Sequence, residues 1–238
     1  MRRHRVRALL MGGQACILYG AAEFSRDIDL AVEAGEKNLE RLRRALQALK
    51  AKSVYVPELS KPVLERGHAC HFRSSIAEAA GLRIDVMAVL RGCDAFSSLW
   101  TRRRRLKLPG IGSVAVLALP DLVRAKKTQR DKDWPMLRRL VEVDYHNRPA
   151  RPTPRQIGFW LRETRTPELL IELCRAYPRR ARRLAKIRAA LRWAIKGDLP
   201  RVEGALLAEE KSERARDRAY WQPLREELFQ WRQACRNK

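Results

Sequence analysis

The chain is short of acidic side chains, of aromatic residues and of long apolar runs, and its cysteines have no paired spacing. Cys16, Cys70, Cys93, Cys174 and Cys235 are scattered and odd in number, which leaves no zinc ribbon and no C-x-x-C dithiol and points to reduced thiols. No stretch approaches the roughly 20 apolar residues of a membrane span. The short run Ala8 to Met11 stops at Gly12, too soon for a secretory core, so a cytoplasmic protein without a membrane partner is expected. The acid deficit is the largest departure from the ordinary: 27 Asp plus Glu against 51 Lys plus Arg, a formal charge of +24. It is not confined to a tail, because residues 1–150 carry 29 basic and 16 acidic side chains and residues 151–238 carry 22 and 11. Coding bias can trade Lys for Arg, but it does not delete acids. A surface of this sign favours phosphate-rich partners such as nucleic acid.

What is present suits a folded protein. Hydrophobic residues make up 45% and charged residues 33%, and 238 residues suffice for a core without staples. The first part alternates short apolar runs with amphipathic stretches, the pattern of a mixed sheet with flanking helices. Strands are expected at Val6–Met11, Ile28–Val32, Ala69–Arg73 and Leu82–Leu90, with a hairpin of Arg105–Leu108 and Ser113–Leu117 around Pro109-Gly110-Ile111-Gly112. Helices are expected at Gln14–Tyr19, Glu36–Ala51, Asp121–Thr128 and Trp134–Val143. His146 to Pro154 holds Pro149, Pro152 and Pro154 without apolar periodicity and reads as a boundary, which divides the chain into 1–147 and 148–238. The second part is helical throughout, at Arg155–Thr164, Pro167–Ala176, Arg179–Ile195, Arg201–Arg214 and Arg218–Cys235. In the third of these, Leu184, Ile187 and Leu191 form an apolar stripe, while Arg179, Arg182, Arg183 and Lys186 fall on another face. That basic face suits either a phosphate backbone or plain solvent. The fold class is therefore α+β, a mixed sheet with flanking helices followed by an all-helical C-terminal part.

Asp27 and Asp29 bracket Ile28 at the start of a strand whose Ile28, Leu30 and Val32 take one face, so the two carboxylates share the other. About three acid-x-acid pairs arise by chance in such a chain, so context has to carry the reading. A second strand supplies it: Leu82, Ile84 and Val86 take one face and Asp85 the opposite one. A carboxylate inside so apolar a strand needs an arginine or a cation as partner, because burying it alone costs several kcal/mol. All-oxygen donors suit Mg²⁺, which commonly shares its shell with substrate phosphates. Gly12-Gly13 lies between a strand and a helix, where missing β-carbons permit close approach of a phosphate. Ser25 and Arg26 offer a hydroxyl and a guanidinium just before the acids. His68 and His71 flank Cys70 on opposite faces of their strand and read as structural or acceptor-side residues.

The string Leu10-Met-Gly-Gly-Gln-Ala-Cys-Ile-Leu-Tyr-Gly20, followed by Ser25-Arg-Asp-Ile-Asp-Leu30, resembles the first motif of the nucleotidyltransferase superfamily, and within it the AbiEii-type toxin branch. Leu119-Pro-Asp-Leu-Val-Arg-Ala-Lys126 and Arg130-Asp-Lys-Asp133 are similar to that branch's later lysine and Lys-Asp motifs, so the resemblance covers about residues 9–140. It implies the nucleotidyltransferase fold, Mg²⁺ as cofactor and Asp27, Asp29 and Asp85 as metal-binding catalytic residues. It further implies nucleotide contacts from Gly12, Gly13, Ser25, Arg26 and Lys126, with Asp133 as the acid that orients Lys126 or the nucleotide. The activity expected is transfer of a nucleoside monophosphate from an NTP to an acceptor, with release of pyrophosphate and with Asp85 assisting removal of the acceptor proton. RNA, tRNA among its forms, is the acceptor that the charge favours, and the toxin branch implies an antitoxin protein as partner. The alternative is a catalytically inactive member of the fold that binds RNA or a partner protein.

Overall fold

The computed structural model describes residues 1–147 and 150–236, so Arg148 and Pro149, where the expected boundary falls, lie outside the described residues. Strand β1 (Ala8–Met11) leads into helix α1 (Gly12–Leu18), and β2 (Asp27–Val32) returns antiparallel to β1. Helix α2 (Glu36–Ala48), β3 (Lys52–Ser53), α3 (Lys61–Glu65), β4 (Cys70–Arg73), β5 (Arg83–Met87) and α4 (Phe96–Arg102) follow. The hairpin of β6 (Arg104–Leu108) and β7 (Gly112–Val116) precedes α5 (Leu119–Ala125). The seven strands form one mixed sheet in the order β3-β4-β5-β2-β1-β7-β6. β2 runs parallel to β5 and β1 parallel to β7, and the other neighbours are antiparallel. The chain is α+β, as the alternation of its apolar runs implies.

One face of this sheet is a hydrophobic core. Leu30 and Val32 of β2, Cys70 and Phe72 of β4, and Ile84 and Val86 of β5 meet Leu39, Leu42 and Leu46 of α2 and Leu64 of α3. Each fully buried leucine contributes about 2 kcal/mol of transfer free energy. α2 ends at Ala48 rather than at Ala51: Lys50 takes left-handed backbone (φ 45) and Ala51 N–H donates to the Leu46 carbonyl at 2.9 Å, a closed C-terminal turn. Strand alternation then sends Asp27 and Asp29, His71 and Arg73, and Arg83 and Asp85 to the opposite face.

The remaining helices are α6 (Asp133–His146), α7 (Pro154–Glu163), α8 (Pro167–Ala176), α9 (Pro178–Leu184), α10 (Ala189–Ala194) and α11 (Leu199–Arg236). By contacts, the chain forms two compact units that do not coincide with the 1–147 and 148–238 division read from the sequence. The first holds Met1–Leu18, Ala22–Ala125 and Ala219–Lys238, and the second Tyr19–Ala21 and Lys126–Arg218. The reason lies in α6, whose buried polar groups are satisfied by later helices. Tyr145 OH donates to Glu172 at 2.5 Å, Trp160 Nε1 donates to Asp144 at 2.7 Å, and Thr166 Oγ1 donates to Glu142. α7 opens with a reciprocal cap in which Gln156 N–H donates to Thr153 Oγ1 (3.3 Å) and Thr153 N–H to Gln156 Oε1 (2.9 Å).

The last three expected helices are divided differently in the structure. The single helix expected over Arg179–Ile195 is broken between α9 and α10, and Ile187, assigned to its apolar stripe, is 78% exposed. Arg188 causes the break. It adopts extended backbone, is buried, and donates to the carbonyls of Leu161 (2.6 Å) and Thr164 (2.7 Å) and to Glu209 (3.0 Å). These tertiary bonds outweigh the local helix pattern. Conversely, the two helices expected over Arg201–Arg214 and Arg218–Cys235 are one, α11, because no glycine or proline lies between them. Replacing Arg188 by Met removes a buried charge from three acceptors and is expected to cost about 3 kcal/mol. Urea denaturation at pH 7 measures it, and a loss below about 1 kcal/mol would show that these bonds do not hold the break.

Candidate functional site

The polar face of the sheet is organised as rungs that cross several strands. Met11 of β1 is in register with Asp29 of β2, Asp29 with Asp85 of β5, and Asp85 with His71 of β4. One step along, Asp27 is in register with Arg83, and Arg83 with Arg73. Adjacent strands lie about 4.8 Å apart, so the first rung sets two carboxylates side by side with an imidazole, and the second sets a carboxylate beside two guanidiniums. The structure thus brings Asp27, Asp29 and Asp85 onto one patch of one face.

Asp85 is held by two side chains. Its Oδ1 accepts from Arg83 Nε at 2.8 Å and lies 2.8 Å from His71 Nδ1, which donates when that nitrogen carries the proton. Burial alone would raise its pKa, but the bonds to His71 and Arg83 outweigh burial and hold the carboxyl below its ordinary value. The Asp85 bond in turn raises the Arg83 guanidinium, with Asp27 adding to the effect. The carboxylate is therefore ionised at neutral pH, with Oδ2 as the oxygen left for a further partner. The sequence allows an arginine partner for Asp85, and the structure supplies Arg83, two residues back on the same face of β5; His71 was missed, because strand register, which one sequence does not reveal, creates that contact.

The Gly12-Gly13 turn meets the acids directly. Gly12 has φ +65, and a β-carbon there would lie 1.7 Å from Asp29 Oδ2; one on Gly13 would lie 2.4 Å from Ser25 Oγ. Both positions accept only glycine, one on conformational and steric grounds and the other on steric grounds. Ser25 is held over the turn by Gln14 Nε2, which donates to the Ser25 carbonyl at 2.9 Å, while Ser25 Oγ donates to the Asp27 carbonyl at 3.3 Å. Arg26 is exposed and lies 5.8 Å from the ring centroid of the exposed Phe24.

Lys126 and Asp133 belong to the second unit. Lys126 follows the last turn of α5, is 6% exposed, and its Nζ donates to Asp133 Oδ1 at 3.0 Å. Asp133 is fully buried, and its Oδ2 accepts from Thr128 Oγ1 (2.5 Å) and Arg130 Nε (2.7 Å). Burial pushes this carboxyl up, but Lys126, Thr128 and Arg130 together bring it below its ordinary value. The buried ammonium that the sequence places here has a carboxylate as its partner.

The donor chemistry of Asp27, Asp29 and Asp85 fits a hard divalent cation: every donor is an oxygen, all three share one face, and Asp85 is oriented by hydrogen bonds as ligating carboxylates commonly are. Among the described residues, no three His, Cys, Asp or Glu side chains already converge closely enough to hold an ion. No described helix is long and apolar enough to cross a membrane. Comparison of the chain with protein-family models gives no match, and comparison with curated proteins gives none.

Two outcomes follow from these contacts. Asp133→Asn is expected to lower stability at pH 7 by about 3 kcal/mol, since it leaves Lys126 buried without a charge partner. Because the folded carboxyl is held below its unfolded value near 4, its contribution is fully present above that value and is lost as pH falls through the folded pKa. The gap between wild type and variant should therefore close in acid, as pH-resolved urea melts would show. Gly12→Ala is expected to displace the Asp29 carboxylate and cost at least the 1–2 kcal/mol of left-handed backbone; an unchanged melting temperature would contradict the close approach.

Proposed function

We propose that the first unit is the catalytic body of a nucleotidyltransferase. The observation that supports this most is the register of Asp29 with Asp85 on neighbouring parallel strands, with Asp27 two residues earlier on the same face and Gly12 under Asp29. In the reaction, an acceptor oxygen attacks the α-phosphorus of an NTP, the bond to the bridging oxygen breaks, and pyrophosphate leaves with the electron pair. The acceptor proton passes to solvent or a base. Asp27, Asp29 and the Oδ2 of Asp85 would hold Mg²⁺, which when bound neutralises phosphate charge. The lowered pKa of Asp85 suits an ionised ligand better than a proton acceptor, since efficient bases titrate near the working pH. Ser25 and Arg26, beside the glycine turn, would face the phosphates of the nucleotide.

The acceptor class is polyanionic on this reading. Residues 173–197 of the second unit hold nine basic side chains and no acid. Arg175, Arg179, Arg182, Arg183, Lys186, Arg192 and Lys196 among them are exposed. Such a surface favours RNA, tRNA included, over a neutral small molecule. An acidic antitoxin protein would meet the same charge.

The second reading is a catalytically inactive protein of this fold that binds RNA or a partner protein. It draws on the engagement of Asp85 by Arg83, which already supplies the positive charge that a cation would bring, with His71 bonded to the same oxygen. Magnesium-dependent NTP binding by calorimetry separates the two. For the catalytic reading, Asp29→Asn is expected to reduce incorporation of labelled nucleotide into total RNA by at least 100-fold (about 2.7 kcal/mol) while the melting temperature holds. Unchanged incorporation would sink the assigned roles.

A further inference from the structure

The polar rung does not end at His71. Val54 N–H donates to the His71 carbonyl at 2.9 Å, so the edge of the sheet continues past β3 and delivers Tyr55 beside the rung. Tyr55 stands edge-on to His71 with ring centroids 6.0 Å apart, while His71 itself bonds Asp85. Its main chain is tied a second time, by Ser53 Oγ donating to the Tyr55 carbonyl at 3.0 Å. The residue is nonetheless 51% exposed, an aromatic side chain on a fixed backbone with surface to spare.

Facing it is the last turn of α11. Glu227 accepts from Arg66 Nε and pairs with His68 Nε2, both at 2.7 Å, and Trp231 packs on the His68 ring at 4.7 Å. These contacts anchor the helix end and so fix the presentation of Arg232 and Arg236, which lie four residues apart on one side of it. Val54, Tyr55, Val56, Arg232, Cys235 and Arg236 together line a cavity of about 610 Å³. That is the size range of small-ligand sites. Among the described residues neither arginine is ion-paired.

We infer that this cavity holds the terminal nucleotide of a single-stranded RNA acceptor, with the base stacked on Tyr55 and the adjoining phosphates on Arg232 and Arg236; this rests on the transferase reading above. An aromatic plate with guanidiniums beside it is the recognition chemistry of unpaired nucleotides. The link from Tyr55 through His71 to Asp85 sets this cavity at the margin of the carboxylate rung, where an acceptor end is needed. Tyr55 and the arginines meet base and backbone without reading sequence, so recognition should tolerate any base.

The test is fluorescence anisotropy of a labelled mixed-sequence hexaribonucleotide with the full chain. Tyr55→Ala is expected to weaken binding about 10-fold or more, and Tyr55→Trp to retain it. Arg232→Gln with Arg236→Gln should weaken binding and lower the slope of log affinity against log salt by about 1.4, from two single-strand phosphate contacts. Binding by Tyr55→Ala within two-fold of wild type overturns the inference, and so does loss in Tyr55→Trp equal to that in Tyr55→Ala. A free nucleoside monophosphate competing as tightly as the hexamer overturns the assignment to a strand end. Absence of nucleotide transfer with Tyr55-dependent oligonucleotide binding would sink the transferase reading alone. Intact transfer with Tyr55-independent binding would sink the cavity alone.

Discussion

The polar face of the sheet depends on how like charges are tolerated side by side. Asp29 and Asp85 are register partners on adjacent strands, and two carboxylates about 5 Å apart repel by roughly 3 kcal/mol at an effective dielectric of 20. Like charges directly opposite one another on a sheet are destabilising, so the arrangement calls for compensating partners. On Asp85 these are the Arg83 guanidinium and the His71 imidazole, and Arg83 serves Asp27 electrostatically as well. A sheet built for stability alone would put threonine or valine at these positions. The rung is therefore a place where folding free energy is given up, which is where binding and catalytic chemistry concentrates.

The buried cations of the second unit obey the same constraint with the opposite sign. Lys126 rests on Asp133, and Arg165 and Arg188 share Glu209. Each charge taken out of water is met by an acid or a carbonyl, as desolvation requires. A chain with 51 basic and 27 acidic side chains that commits acids to such pairs leaves its remaining cations on the surface. The excess positive field is thus concentrated on exposed segments such as 175–196, which explains how a strongly basic chain can keep an ordered helical core.

Much of the α+β order was legible from periodicity. Period-two alternation in Ile28–Val32 and Leu82–Met87, and leucines at helical spacing in Glu36–Ala48, each depend on one face meeting one core. The shared face of Asp27 and Asp29 follows from the same alternation. What escaped was non-local. No pattern announces that His71 pairs in register with Asp85, or that Arg188 ties to Leu161 and Thr164 and so interrupts a regular apolar stripe. Short elements escaped as well: α3 buries only Leu64, and β3 is two exposed residues, too little for a periodicity to register. The division between compact units was hidden for a related reason. Prolines mark local stiffness, whereas the units are defined by side chains such as Tyr145 and Trp160 that meet across the chain.

The two readings of the first unit differ in what completes the charge of the rung. Arg83 bonds Asp85, and the Asp29 carboxylate lies directly against the Gly12 turn, so a phosphate seated on that turn would have a carboxylate as its neighbour. A phosphate-binding role for the glycine turn and the acids together would be served by a cation between them. An RNA-binding role needs no such cation, because it can use the exposed arginines and leave the acidic rung aside. The close fit of Gly12 against Asp29 is unexplained by the second role, since a turn made only to reverse the chain has no reason to exclude a β-carbon at the carboxylate. That steric match is why the nucleotide-handling reading is the stronger of the two.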